Sequence, residues 1–314
     1  MHINDGDNAP VQPVQVGQDY PVENPADSPG GFQLHCEQVV QRNWSRVGVG
    51  TVCDAGNDTA RKFFLKQNVN KAGCSLPKHW EYERTGTQAA RSLLKNIVDI
   101  PVPAFHNESL VLNVFEYVDV VPLDEILRDN SELFRKHFPD ILPQLVQVLE
   151  GLQAGDAASL PFELPVKERD YGGPSSTVNF KGFDIRNMAV RKLDNNGYSW
   201  ERMVMFDFGK PYLAPVEEAA AKLFVSIGLL NWGRPVSRFA MGPDEALLEK
   251  VLPGFRPFLD IKAVRAELQL QTGFRSREFH GSGGLERNLK RWGVGLLGKR
   301  YLSRLARWCY KHIT

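Results

Sequence analysis

Met203-Val-Met-Phe-Asp-Phe-Gly209 is an apolar run that ends in a carboxylate followed by an aromatic ring and a glycine. Four consecutive apolar residues favour a buried strand, and the glycine two positions after Asp207 favours a turn, so this stretch delivers one acidic side chain from a strand end into a loop. Upstream, a second acidic loop, Lys181-Gly-Phe-Asp-Ile-Arg-Asn187, precedes the apolar Met188-Ala-Val190. Farther upstream, Lys62-Phe-Phe-Leu-Lys66 closes an apolar strand on an ammonium, and a strand over Leu110 to Val118 runs through Glu116-Tyr117-Val118. Residues 78 to 96 predict a helix with Glu83, Thr87, Ala90 and Leu94 on one stripe. Glu81 lies about 200° round that helix from Glu83, so only one of them faces the sheet, and the stripe favours Glu83.

A chain of 314 residues buries a sizeable core, and two lobes of roughly 100 to 200 residues each are expected. Its 38 basic and 37 acidic residues leave no overall bias toward nucleic acid or acidic substrates, so any charge signal is local. Cys36, Cys53, Cys74 and Cys309 show neither a CxxC pair nor a zinc-type spacing. Scattered cysteines of this kind suit a reducing cytoplasm. The first 30 residues contain no Lys or Arg and no apolar core of signal-peptide length. No run of about 18 apolar residues predicts a spanning helix.

Residues 1 to 31 carry five prolines and the acids Asp5, Asp7, Asp19, Glu23 and Asp27, a composition expected to give a disordered acidic tail. Residues 32 to 118 form the expected β-rich lobe, with strands over Cys36 to Val47 and Thr51 to Asp54 separated by Gly48-Val-Gly50. A further strand, Arg61 to Gln67, follows the turn signal at Gly56-Asn-Asp58. Residues 119 to 314 read as mainly helical: a helical region from Pro122 to about 154, then helix at Glu217 to Trp232 and beyond 243. Within them a loop at 170 to 178 leads to two strands, near 180 to 192 and 200 to 207, joined through Asp194-Asn-Asn-Gly197. The class is α+β.

The order of these parts (Lys66, Glu83, a hinge, Asp184, Asn187, then Asp-Phe-Gly) resembles that of the protein-kinase-like superfamily over about residues 36 to 232. Within it, Arg61-Lys-Phe-Phe-Leu-Lys66-Gln looks most like the lysine strand of bacterial lipopolysaccharide core kinases, which phosphorylate heptose on a glycolipid at the inner membrane. Aminoglycoside and choline kinase-like phosphotransferases are next. The resemblance implies a bilobal fold with a small β-rich N-lobe and a larger, mainly helical C-lobe, together with ATP, Mg2+ and a sugar or glycolipid hydroxyl as acceptor. It implies that Lys66 holds the α and β phosphates and that Glu83 fixes Lys66. Gly48 and Gly50 would then sit in a phosphate-covering turn, or else in an ordinary hairpin, while Glu116 and Val118 offer backbone groups to adenine. Asp184 would orient or deprotonate the acceptor hydroxyl, and Asn187 and Asp207 would hold Mg2+, with Lys66, Asp184 and Asp207 converging around one nucleotide-sized gap.

Two departures stand out. Gly182-Phe183 precede Asp184 where the superfamily usually has His, and only Ile185-Arg186 separate Asp184 from Asn187 where four residues are usual. They motivate an alternative, a pseudokinase acting as a nucleotide-binding regulatory module, alongside a small-molecule or protein kinase. Arg186 is a further cation for the transition state or a surface residue. From Glu286 to the C-terminus there are eight Lys or Arg against one acid. On a helix, Arg300, Arg304, Arg307 and Lys311 share one stripe beside an apolar one of Leu297, Tyr301, Leu305 and Trp308. This pattern suits an anionic inner-membrane surface, or a terminal helix packed on the lobe, and implies a cytoplasmic protein with peripheral membrane contact. Its aromatic spacing does not suit nucleic acid.

Overall fold

The computed structural model describes residues 10–24, 32–42, 45–54, 57–70, 72–194, 197–228, 244–278 and 300–314. Strands and helices are mixed as an α+β protein, and the chain divides into two compact units. The first draws on Met1–Arg91, Ile100–Asp119 and Phe206–Lys210, the second on Ser92–Asp99, Val120–Met205 and Pro211–Thr314. The stretch Phe206–Lys210 thus belongs to the unit that holds Lys66, although its flanking residues belong to the other.

In the first unit, β1 (Asp19–Val22), β2 (Phe32–Gln41), β3 (Arg46–Asp54), β4 (Asn57–Gln67), β5 (Pro103–Asn107) and β6 (Leu112–Glu116) form one antiparallel sheet in the order β1-β2-β3-β4-β6-β5. Side chains alternate across a strand, so Phe63 and Leu65 of β4 enter a core with Leu34, Cys36, Leu112 and Val114. The same alternation turns Lys66 to the opposite face. Helix α1 (Pro77–Leu94) carries Glu83, buried with Thr87, Ala90 and Leu94, whereas Glu81 is exposed.

The structure departs from two expectations. Residues 10–24 are not a disordered tail: β1 extends the sheet as an edge strand, and Val14, Tyr20 and Val22 join its core. The alternation of Tyr20 and Val22 supplies the buried face, and Pro21 is tolerated because an edge strand need not donate every ladder bond. Residues 1–9 and 25–31 lie outside the described residues. Gly48 and Gly50 are not in a turn either; they pair with Val39 and Cys36 in mid-strand, opposite a bulge between Cys36 and Gln38. A Cβ on Gly48 would come within 1.8 Å of the Gln38 carbonyl oxygen, and one on Gly50 within 2.4 Å of that of His35. Glycine at these positions admits the backbone of β2.

The second unit holds a three-stranded sheet, β10-β9-β7, of β7 (Val120–Pro122), β9 (Met188–Lys192) and β10 (Tyr198–Met205), and a two-stranded one of β8 (Thr177–Phe180) and β11 (Pro211–Ala214). Its helices are α2 (Leu123–Asp129), α3 (Ser131–Ala154), α4 (Val216–Gly228), α5 (Glu245–Phe255), α6 (Ile261–Glu278) and α7, over residues 300–313. The Asn130 side chain accepts from the Leu133 N–H at the start of α3. Phe134, Phe138, Ile141, Leu145, Val148 and Leu152 then recur at helical spacing and are buried. In α7, Tyr301, Leu305 and Trp308 are buried, with Trp308 stacked on Phe224 of α4. The apolar stripe of this helix therefore packs on its own unit and is not offered to lipid; Arg300, Arg304, Arg307 and Lys311 are exposed. Leu297 lies outside the described residues.

Candidate functional site

Lys66 is held by two carboxylates. Its Nζ lies 2.7 Å from Glu83 Oε1 and 2.7 Å from Asp207 Oδ1, residues that come from a strand, a helix and a loop. The side chain of Lys66 is 13% exposed, that of Glu83 6% and that of Asp207 51%, so one carboxylate lies inside and the other opens to solvent. The second oxygen of Glu83 accepts from Asn68 Nδ2 at 3.1 Å and Asn113 Nδ2 at 3.3 Å. A buried carboxylate needs such donors, because an under-bonded charge in a low dielectric is costly. Burial alone would lower the pKa of Lys66. The charges of Glu83 and Asp207, with their hydrogen bonds, overcome this and raise it above the ordinary lysine value, so the ammonium is a fixed cation.

Asp207 has φ 57° and Gly209 φ 63°, both in the left-handed region. Aspartate is among the few side chains that tolerate this conformation. Beside it, α1 carries Gly86, where a Cβ would come within 2.0 Å of the Gly209 carbonyl oxygen and 3.3 Å of Phe208 Cβ. A glycine in a helix interior costs about 1 kcal/mol relative to alanine. Here it lets the loop that carries Asp207 lie directly on the helix that carries Glu83. Lys210 continues the contact, with its Nζ 4.8 Å from the ring centre of Tyr82. Gly86, Asn68 and Asn113 were not singled out by sequence.

At the end of β6, the Glu116 N–H donates to the Val102 carbonyl at 2.9 Å. Val118 follows in the segment between β6 and β7. All these residues belong to the first unit.

Asp184 and Asn187 come together in the second unit, on one tight turn. The Asn187 N–H donates to the Asp184 carbonyl at 2.9 Å, and Asn187 Nδ2 donates to the Gly182 carbonyl at 2.6 Å. Ser226 of α4 anchors the turn by accepting from the Ile185 N–H at 3.1 Å. Asp184 accepts through Oδ1 from the Arg186 N–H and Nε, each at 2.9 Å, and through Oδ2 from Arg186 Nη2 at 2.6 Å. The short loop therefore folds its own arginine onto its aspartate. Arg186 is not simply a surface residue; it is a bidentate partner.

Glu83 and Asp207 around one lysine leave a net charge of −1, which would repel a bare triphosphate and suits a phosphate carried with a divalent cation. No group of three or more His, Cys, Asp or Glu among the described residues could hold a metal by itself. No protein-family model matches this chain, and no curated protein matches its sequence.

Proposed function

We propose that this chain is an ATP- and Mg2+-dependent phosphotransferase of protein-kinase-like, bilobal fold, acting on a sugar hydroxyl of a lipopolysaccharide core or related glycolipid. The observation that carries the reading is the Glu83–Lys66–Asp207 array: a fully charged lysine fixed by a buried carboxylate, beside a half-exposed one. Phosphoryl transfer asks the protein chiefly to hold phosphates and place magnesium, and these are the groups for that work. In this reading Lys66 binds the α and β phosphates, Glu83 positions it, and Asp207 and Asn187 supply oxygen ligands to Mg2+. Glu116 and Val118 offer backbone groups to adenine. Asp184 orients the acceptor hydroxyl, with Arg186 donating to both of its carboxylate oxygens.

Four cations on the exposed side of α7 support a peripheral position on an anionic membrane at the cytoplasmic face, and no helix among the described residues is long and apolar enough to cross one. Because the apolar stripe of that helix is buried, the attraction is electrostatic.

The test is ADP release from purified protein with Mg2+, ATP and core glycolipid micelles, with soluble sugars, aminoglycosides and protein as comparison acceptors. Turnover on the glycolipid that is lost in Asp207→Ala supports the reading; equal ADP release by wild type and Asp207→Ala overturns it. The occupied carboxylate of Asp184 favours a second reading, a pseudokinase. For that protein, Mg2+-ATP raises the melting temperature, as a ligand selective for the native state must, with no turnover on any acceptor.

A further inference from the structure

The second unit holds a group of cations that has no part in the nucleotide site assigned above. Residues 165–167 run beside β11: the Leu213 N–H donates to the Pro165 carbonyl at 2.9 Å, and the Lys167 N–H to the Leu213 carbonyl at 2.8 Å. This pairing lays Lys167 over the face of Tyr212, with Nζ 3.2 Å from the ring centre. Lys222 of α4 approaches the same ring at 4.8 Å and donates to the Tyr212 hydroxyl. Two ammonium groups therefore share one aromatic ring.

Their partners are unequal. Glu218 pairs with Lys222 at 3.0 Å and Arg169 at 2.8 Å, and it also accepts from the Tyr212 hydroxyl. Lys167 has no carboxylate of the described residues within 4.0 Å of its Nζ. Arg169 and Lys181 lie near enough for their charges to act on it. Burial lowers the Lys167 amine first, Lys222 adds to this, Glu218 opposes it, and Arg169 and Lys181 contribute further, for a pKa of about 8. Burial pushes the carboxyl pKa of Glu267 of α6 up, with Gln271 and Lys222 opposing this, so Glu267 is a second acidic group beside the cations. Crowding like charges around a part-buried lysine is unfavourable in the free protein and becomes favourable when an anion arrives.

The group also adjoins the Asp184 loop. Lys181 is three residues before Asp184, Lys222 donates to the Phe180 carbonyl at 3.2 Å, and Glu267 feels the charges of both Asp184 and Lys222.

We propose that Lys167, Arg169 and Lys181, backed by Lys222, form an oxyanion site that takes a phosphate or carboxylate group of an acidic acceptor. The word acceptor rests on the phosphotransferase reading; the anion site does not.

The test follows the titration of Lys167 by NMR in the full chain with 13C-labelled lysine, without ligand, with inorganic phosphate and with acetate. Saturating anion raises the Lys167 pKa from about 8 toward the ordinary range near roughly 10.4. The more effective of the two anions identifies the group. Lys167→Gln loses the phosphate response of the neighbouring Lys181 and Lys222 signals, Lys167→Arg restores it, and Asp207→Ala keeps it. A Lys167 titration that neither anion moves would overturn the proposal, as would a phosphate response lost in Asp207→Ala and kept in Lys167→Gln. Because the readout needs no turnover, an anion response in a protein with no phosphotransfer leaves this site standing and removes only the kinase reading.

Discussion

Gly86→Ala sets two physical effects against each other. In a helix interior alanine is favoured over glycine by about 1 kcal/mol, so propensity alone predicts a more stable protein. The structure predicts the reverse. The new Cβ would lie 2.0 Å from the Gly209 carbonyl oxygen, where ordinary contact begins at 3.4 Å, so the loop must retreat by 3.4 − 2.0 = 1.4 Å. Both clashing groups are anchored, one to a helix and the other to backbone, and no rotamer relieves them. Overpacking of this kind costs up to about 3 kcal/mol, which leaves a net loss of about 2 kcal/mol after the propensity gain. Asp207 is two residues from the point of retreat, and a movement of that size would stretch its 2.7 Å bond to Lys66 beyond hydrogen-bonding range. A misplacement of about 1 Å at a reacting centre can cost about 100-fold in rate. Urea unfolding measures the first effect, and Mg2+-ATP-dependent thermal stabilisation with ADP release measures the second. A Gly86→Ala protein more stable than wild type, with an undiminished nucleotide response, would refute the account of how this loop is held.

Glu83→Gln, which uncharges the buried partner of Lys66, is expected to cost about 2 to 3 kcal/mol in urea unfolding, somewhat less than a fully broken buried pair because Asp207 remains. Glu81→Gln, exposed two residues earlier, stays within about 0.5 kcal/mol of wild type, and equal losses in the two variants would contradict the assignment. For Glu218, burial raises the carboxyl pKa, but Lys222, Tyr212 and Arg169 outweigh this and lower it from 4.5 to about 2. Its stabilisation is complete above about pH 4.5 and lost as pH falls toward 2, an effect of (4.5 − 2) × 1.36, about 3 kcal/mol. Acid titration of stability should show this limb in wild type and a flatter one in Glu218→Gln. Four basic residues on α7 at about 1 kcal/mol each give about 4 kcal/mol of attraction to an anionic surface. Co-sedimentation with phosphatidylglycerol vesicles should fail in Arg304→Glu/Arg307→Glu/Lys311→Glu and in high salt, and binding to neutral vesicles would argue against the electrostatic account.

The residues legible in sequence were those whose local period fixes where they point. Strand alternation turned Lys66 away from Phe63 and Leu65, and the helical stripe chose Glu83 over Glu81. What sequence could not show were roles defined by a distant partner. Asn68 and Asn113 matter because both reach one carboxylate oxygen, and nothing local marks them. Gly86 did carry a signal, a helix-breaking residue inside an otherwise regular helical pattern, which marks a close approach of another backbone. The pair Gly48 and Gly50 illustrates the opposite error: a glycine pattern suited to a turn also suits the strand facing a bulge. In β1 the acids and Pro21 masked a two-residue apolar alternation too short to outweigh composition. The group around Lys167 is assembled from a loop, a strand and a helix, so no window of sequence contains it.

Burial acts on Lys66 and Lys167 in the same direction, and their neighbours decide opposite outcomes. At Lys66 two carboxylates reverse the effect of burial and hold the pKa above the ordinary 10.5, whereas at Lys167 like charges reinforce it and bring the pKa to about 8. At pH 8, Lys167 is then about half neutral, while a lysine at 10.5 has about 0.3% of its amine in the reactive form, from 10 raised to −2.5. The advantage exceeds about 100-fold per amine, more than enough to offset the poorer access of a half-buried side chain. Limited acetylation at pH 8, read by peptide mass spectrometry, should therefore modify Lys167 ahead of exposed lysines such as Lys62 and leave Lys66 for last. Inorganic phosphate should slow the reaction at Lys167 by restoring its proton and covering it, with no effect at Lys62. Labelling of Lys66 as fast as Lys167 would mean that the carboxylates of Glu83 and Asp207 do not hold its charge, and the phosphate-binding role assigned to it would lose its physical basis.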